Sequence, residues 1–183
     1  EPKIMGILNT APNSFYDGGR HQSIDLILEK VSRYLTDGAD IIDIGGYSTK
    51  PGAEVVSEQE EIDRTAPIIE KIIKEYPEII ISIDTFRGNV AREAINAGAS
   101  IINDVSGWEL DNEMFNAIVD LNVPYILMQM QGTPQTMQDN PVYKDIKLEV
   151  NEYFSTKITQ LKAAKVNDII LDPGFGFAKT LEK

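Results

Sequence analysis

Gly38-Ala39-Asp40-Ile41-Ile42-Asp43-Ile44-Gly45-Gly46 holds a helix stop, a strand and a strand tip in one short run. Upstream, Ile24, Ile27, Leu28, Val31 and Leu35 recur at helical spacing, and a glycine just past such a pattern ends it. The β-branched run at 41–44 then reads as a buried strand, closed by Asp43 with Gly45 and Gly46. The same order returns at Gly98-Ala99-Ser100-Ile101-Ile102-Asn103-Asp104. A helix stop followed at once by the next strand is a βα unit with short αβ loops, and it predicts a parallel sheet.

Extending this reading along the chain gives strands at 3–8, 40–44, 79–83, 100–103, 125–128 and 168–171. Helical patterns fill the gaps: Ile62, Ala66, Ile69, Ile72 and Ile73, then 89–97, 112–121, and 146–164 with Val150, Phe154, Ile158 and Leu161 on one face. Asn9-Thr10-Ala11-Pro12-Asn13 follows the first strand where a dinucleotide-binding fold would carry glycines. Strand, longer loop and helix repeat in order, so the expected class is α/β, a (β/α)8-type TIM barrel of which this chain supplies about six βα units. Residues 1–183 read as one domain, with the C-terminal part of the barrel absent.

Composition excludes several function classes. The net charge of −12, with no stripe of Lys and Arg, repels nucleic acid. No segment reaches the roughly 20 apolar residues that span a bilayer. Cysteine is absent, which removes disulfides and thiolate metal sites and makes a reducing cytoplasm the expected compartment. With the single histidine, His21, placed before the first helix, neither a zinc site nor a Ser-His-Asp triad is expected.

Chemistry concentrates at the strand tips. Asp84 closes the third strand, Asn103 and Asp104 the fourth, and Asp172-Pro173-Gly174-Phe175-Gly176-Phe177 follows the sixth. Each alone reads equally well as a helix cap. Together they form an acceptor-rich floor, suited to a flat heterocycle with several N–H donors. Asn9 offers an oxygen to Mg2+ or bonds its own turn, and Ser48-Thr49-Lys50 between glycines forms an anion site or a plain flexible loop.

In order, Met5-Gly6-Ile7-Leu8-Asn9, Phe15 with Gly18 and Gly19, Ile42-Asp43-Ile44-Gly45-Gly46, Ser48-Thr49, Ser82-Ile83-Asp84-Thr85, Ile102-Asn103-Asp104-Val105, Gln131-Gly132-Thr133-Pro134 and Asp172 onward to Phe177 resemble the dihydropteroate synthases. The resemblance covers essentially the whole chain. It implies a folate-biosynthesis transferase that condenses 6-hydroxymethyl-7,8-dihydropterin diphosphate with p-aminobenzoate, giving dihydropteroate and diphosphate. It also implies roles: Asp84, Asn103 and Asp172 on the pterin edge, Met128 and Phe177 as walls, Asn9 on Mg2+, Thr49 at the diphosphate, and Asp17 closing the site and acting with Asp84 and Asp172 in catalysis.

The chain departs from the family at Ala11 and Asn13, at Lys50 where arginine is usual, at Gln129 where histidine stands, and at Ala178 beside Lys179. Family motifs that follow the seventh and eighth strands lie beyond Lys183, so reduced or absent turnover and self-association, as a homodimer or otherwise, are expected of these residues alone. Two rivals remain: a pterin-binding methyltransferase domain, which needs no diphosphate-handling first loop, and a non-catalytic fragment or engineered scaffold.

Overall fold

A computed structural model describes residues 2–10, 20–47, 56–132, 143–177 and 179, and for 20–23 the backbone alone. Strands and helices alternate: β1 (Met5–Asn9), α1 (Arg20–Thr36), β2 (Ile41–Gly45), α2 (Glu58–Glu75), β3 (Ile80–Asp84), α3 (Gly88–Asn96), β4 (Ile101–Asp104), α4 (Asn112–Leu121), β5 (Tyr125–Met128), α5 (Ile146–Ala163) and β6 (Ile169–Asp172). The sheet is six-stranded and parallel, in the order β1-β2-β3-β4-β5-β6. Sequential neighbours with a helix between each successive pair of strands are the winding of a TIM-type barrel, since a doubly wound sheet reverses its strand order. The described strands form an open arc of such a barrel.

The two faces of the sheet differ as this winding requires. Leu8, Ile42, Ile44, Ile81, Ile83, Ile102 and Leu127 are fully buried in one cluster with Val31 of α1, Ile69 and Ile72 of α2, Ala94 of α3, Ile118 of α4 and Leu161 of α5. Each such side chain contributes about 1.5–3 kcal/mol on burial, so this outer layer is the main stabilising core. The alternate residues face inward and turn polar: Asp43, Ser82, Asp84 and Asn103. On the edge strands the inward positions before the tips, Ile7 and Ile170, are apolar and open, 71% and 49% exposed.

Helix ends are fixed locally. Ser57 caps α2 in a reciprocal capping box with Glu60. Asp111 caps α4 and also accepts from the Gly88 N–H at 2.7 Å, tying the starts of α3 and α4 together. Gly38 and Gly98 adopt φ of +98° and +117°, the left-handed conformation that the helix-stop reading needs.

Five strands lie one residue or more further along the chain than the spacing predicts. The parallel ladder does not stop with the apolar run: Thr10 N donates to Gly45 O at 2.9 Å, Thr85 N to Asn103 O at 3.0 Å and Gln129 N to Asp172 O at 3.1 Å. Asp84 and Asp172 are therefore the last residues of strands, held by the sheet rather than by loops. The first helix also starts earlier, at Arg20, so His21 lies within its first turn.

Candidate active site

Register builds the site. Asn9 pairs with Gly45, Gly45 with Asp84, and Asp84 with Asn103, so these four form one layer across the C-terminal ends of β1 to β4. Met128 pairs with Asp172 one layer further along, because Asn103 is level with Ile126. All lie at inward-facing positions. The two acids at the strand ends are thus not level, and the floor steps up between β4 and β5. Gly45 leaves room beside Asp84, since a Cβ there would sit 3.4 Å from Asp84 Oδ2.

Each floor residue has a distinct environment. Asp84 accepts no hydrogen bond among the described residues. Burial, and then the charges of Asp43, Glu61 and Asp104, hold its carboxyl well above the ordinary range. Asn103 donates through Nδ2 to Asp43 Oδ2 at 3.2 Å. Asp172 accepts from the Gly174 N–H at 2.8 Å through Oδ1, which leaves Oδ2 for a ligand. Gly174 has φ +64°, and a side chain there would collide with the Gln129 carbonyl oxygen, so the chain after β6 lies directly against the tip of β5. Met128 is buried with Val105 and Met130, and Phe177 packs against them as an apolar wall beside Asp172.

A second set of charges supports this floor. Glu61 of α2, fully buried, accepts from the Thr85 hydroxyl at 2.7 Å and from Arg87 Nη1 at 2.7 Å. Arg87 Nη2 donates to Val56 O at 2.7 Å, and its guanidinium lies over the rings of Tyr47 and Phe86. Burial pushes the Glu61 carboxyl up despite Thr85 and Arg87. At the β5 end, Lys179 donates to Gln129 Oε1 at 2.7 Å and to the Gln129 and Phe177 carbonyls at 3.1 Å. Burial lowers its ammonium pKa, which Asp172 opposes. Gln129 supplies a neutral acceptor, so this contact does not titrate with the acceptor.

Asp104 faces away from this floor. It accepts from Ser106 N, the Ser106 hydroxyl, Trp108 N and the Tyr125 hydroxyl at 2.7–2.8 Å, and so shapes the loop after β4. A groove of about 510 Å³ lies between the C-terminal turns of α1 and α2, lined by Ser32, Thr36, Glu75 and Tyr76, on the opposite side of the sheet ends. It gathers no such convergent groups, and the strand-tip floor remains the candidate site.

Of the residues expected to carry function, Asn9, Asp84 and Asn103 share one layer, and Met128, Asp172 and Phe177 group at the next. Asp17 and Thr49 lie outside the described residues, as do Ala11, Asn13, Lys50, Ala178 and the 133–142 stretch. Among the described residues no three His, Cys, Asp or Glu side chains converge as a metal cluster. The donor chemistry at Asn9 suits Mg2+ bound by one amide oxygen, with water and ligand oxygens completing the shell. The sequence marks Asp43 as a strand-tip residue without a role in the site, and Ser82, Glu61 and Arg87 do not stand out in it as site residues. Strand parity carries the signal for Asp43 and Ser82, because each lies two residues before a tip residue on the same face.

Known proteins resemble this chain in sequence and in fold. The profile of the family described as "Pterin binding enzyme" matches residues 5–183. A dihydropteroate synthase of Synechocystis sp. is 46% identical over 182 residues, spanning 98% of this chain and 63% of that protein. The Yersinia pestis dihydropteroate synthase, solved with a sulfonamide drug complex, superposes with a TM-score of 0.89 at 43% identity, covering 99% of this chain and 66% of that one. The Xanthomonas albilineans dihydropteroate synthase in complex with 7,8-dihydropteroate superposes with a TM-score of 0.81 at 35% identity, covering 98% and 63%. The chain thus spans just under two thirds of the length of these relatives.

Proposed function

The chain belongs to the pterin-binding enzyme family, and we propose that it forms the pterin-binding part of a dihydropteroate synthase. In this reading the floor of Asp84, Asn103 and Asp172 takes the N–H edge of a dihydropterin diphosphate, and p-aminobenzoate displaces the diphosphate. The observation that carries the reading is the register, which aligns three acceptors at three strand ends on one face.

The residues divide the work by chemistry. Asn103 and Asp172 accept N–H donors, and Asp84 holds or releases a proton according to the donor set before it. Met128 and Phe177 exclude water from the ring faces. As the pterin methylene carbon gives up its diphosphate, positive charge develops on the ring side, and the nearby carboxylates stabilise it. Asn9 would hold Mg2+, which when bound offsets negative charge on the diphosphate. Asp17 and Thr49 would meet the substrate from the first and second loops. The cytoplasm is the proposed compartment, and the described helices include none long and apolar enough to cross a membrane.

The open apolar positions Ile7 and Ile170 support self-association of the chain, which sedimentation across a concentration series would read. The synthase reading is tested by incubating the 183-residue chain with dihydropterin diphosphate, p-aminobenzoate and Mg2+ and separating products by chromatography. Dihydropteroate that appears with wild type and disappears with Asp172→Asn supports it. No product together with no pterin binding counts against it, whereas pterin binding unaffected by diphosphate or Mg2+ favours a methyltransferase-type domain.

A further inference from the structure

Beneath the strand-tip floor, the inward face of β2 and β3 carries one more polar layer. Asp43 pairs with Ser82 two residues before Gly45 and Asp84, and both are almost wholly buried, at 5% and 0% exposure. Asn103 reaches down from β4, across β3, to donate to Asp43 Oδ2 at 3.2 Å. Asp43 Oδ1 and the Ser82 hydroxyl have no hydrogen-bond partner among the described residues, and burial raises the Asp43 carboxyl pKa, which Ser82 and Asn103 oppose. Buried carboxylates are costly to keep, and this one has no part in the outer hydrophobic core.

A primary amide has two ends of opposite sign, and its orientation follows from its neighbours. With its NH2 group held by a carboxylate below, Asn103 offers its carbonyl to the half-open floor above. Rotating the amide by half a turn would set oxygen against oxygen beneath and donors above. A neutral amide at position 43 would satisfy either orientation and remove the constraint.

We propose that Asp43 is a positioning residue that fixes the Asn103 amide with its carbonyl toward the ligand. The floor is then composed entirely of acceptors, and it selects a ring edge bearing N–H donors over one bearing a carbonyl. This rests on the pterin reading above for its ligand, but not for its geometry. The groups facing Asp43 are Ser82 and Asp84 from β3 and Asn103 from β4, and Asp84 in turn faces Glu61 of α2 and Asp104 of β4.

The test compares 6-hydroxymethylpterin with 6-hydroxymethyllumazine, in which a carbonyl replaces the 2-amino donor, by calorimetric titration of wild type, Asp43→Asn, Asn103→Ala and the double variant. Wild type is expected to prefer the pterin, and Asp43→Asn to reduce the pterin-to-lumazine affinity ratio by about tenfold, the value of one reversed hydrogen bond. The double variant should match Asn103→Ala alone. A purely structural role for Asp43 would weaken both probes equally, and an unchanged ratio in a cooperatively folding Asp43→Asn overturns the proposal. Should wild type bind neither probe, the pterin reading fails, and the amide itself decides the orientation. The Asn103 side-chain NH2 resonance, identified by its loss in Asn103→Ala, is expected to exchange slowly with solvent in wild type. Exchange at the rate of a free amide overturns the proposal, even if every position-43 variant misfolds.

Discussion

Replacing Arg87 with alanine isolates the contact that joins α2, the tip of β3 and Val56 beside the candidate site. Arg87 donates at 2.7 Å to Glu61 Oε2 and at 2.7 Å to Val56 O, and its side chain is 16% exposed while that of Glu61 is 0% exposed. Removing the guanidinium leaves Glu61 with the Thr85 hydroxyl as its remaining side-chain donor among the described residues. Breaking a buried pair from one side costs about 3–5 kcal/mol when the survivor stays charged. Glu61 has another course, since burial already raises its pKa and the loss of Arg87 raises it further. Uptake of a proton limits the penalty, so the expected loss near neutral pH is about 2–3 kcal/mol, below the range for a survivor that stays charged.

The sign of the pH dependence follows from the same shift. A carboxyl whose folded pKa is raised favours the folded state below its unfolded pKa and loses that contribution as pH rises through the folded value. The deficit of Arg87→Ala relative to wild type should therefore shrink as pH is lowered. Urea unfolding followed by circular dichroism at about pH 7.5 and about pH 5.5 reads both effects. The neutral pair Glu61→Gln with Arg87→Met should recover part of the loss, because neither partner is then left charged. A loss below about 1 kcal/mol for Arg87→Ala, or a deficit independent of pH, would refute this account of the cluster.

Asp43, Asp84 and Asp104 all have raised carboxyl pKa values from burial, so stability should rise as pH falls from neutral toward the ordinary carboxylate range. Asp84→Asn should flatten that rise in a thermal-melt series, and an unchanged slope would contradict the placement of its charge. Gly174→Ala adds a methyl at a left-handed residue facing the Gln129 carbonyl. It should cost about 1–2 kcal/mol and weaken pterin binding by lifting the Asp172 segment from β5, as calorimetry and melting together would show. Lys157 donates to Gly107 O at 2.8 Å and lies 4.0 Å from the ring centre of Trp108, the sole tryptophan. Lys157→Met should cost about 1–3 kcal/mol and shift the intrinsic fluorescence, which reports that ring directly.

The βα repeat was legible because each element carries its own local signal. Gly38 and Gly98 end helices through a backbone conformation that other residues resist, and the isoleucine runs of β2 to β4 have no polar face toward the helices. The tip residues Asp84, Asn103 and Asp172 were legible because each follows such a run. Their relative heights were not, since the step between Asn103 and Asp172 arises from strand register, which no single segment encodes. Arg87 and Glu61 were hidden for a related reason. Glu61 sits in the first turn of α2 among Glu58 and Glu60, where acidic residues ordinarily face solvent, and only the packing of α2 against β3 buries it.

The central claim is that Asp84 and Asp172, one layer apart, belong to one pterin floor. Its most direct test is calorimetric titration of the 183-residue chain with 6-hydroxymethyl-7,8-dihydropterin diphosphate, with and without Mg2+, for wild type, Asp84→Asn and Asp172→Asn. The account predicts binding that Mg2+ strengthens and that each substitution weakens by about tenfold or more. Equal affinity in all three proteins, or no binding by a folded wild type, would contradict it.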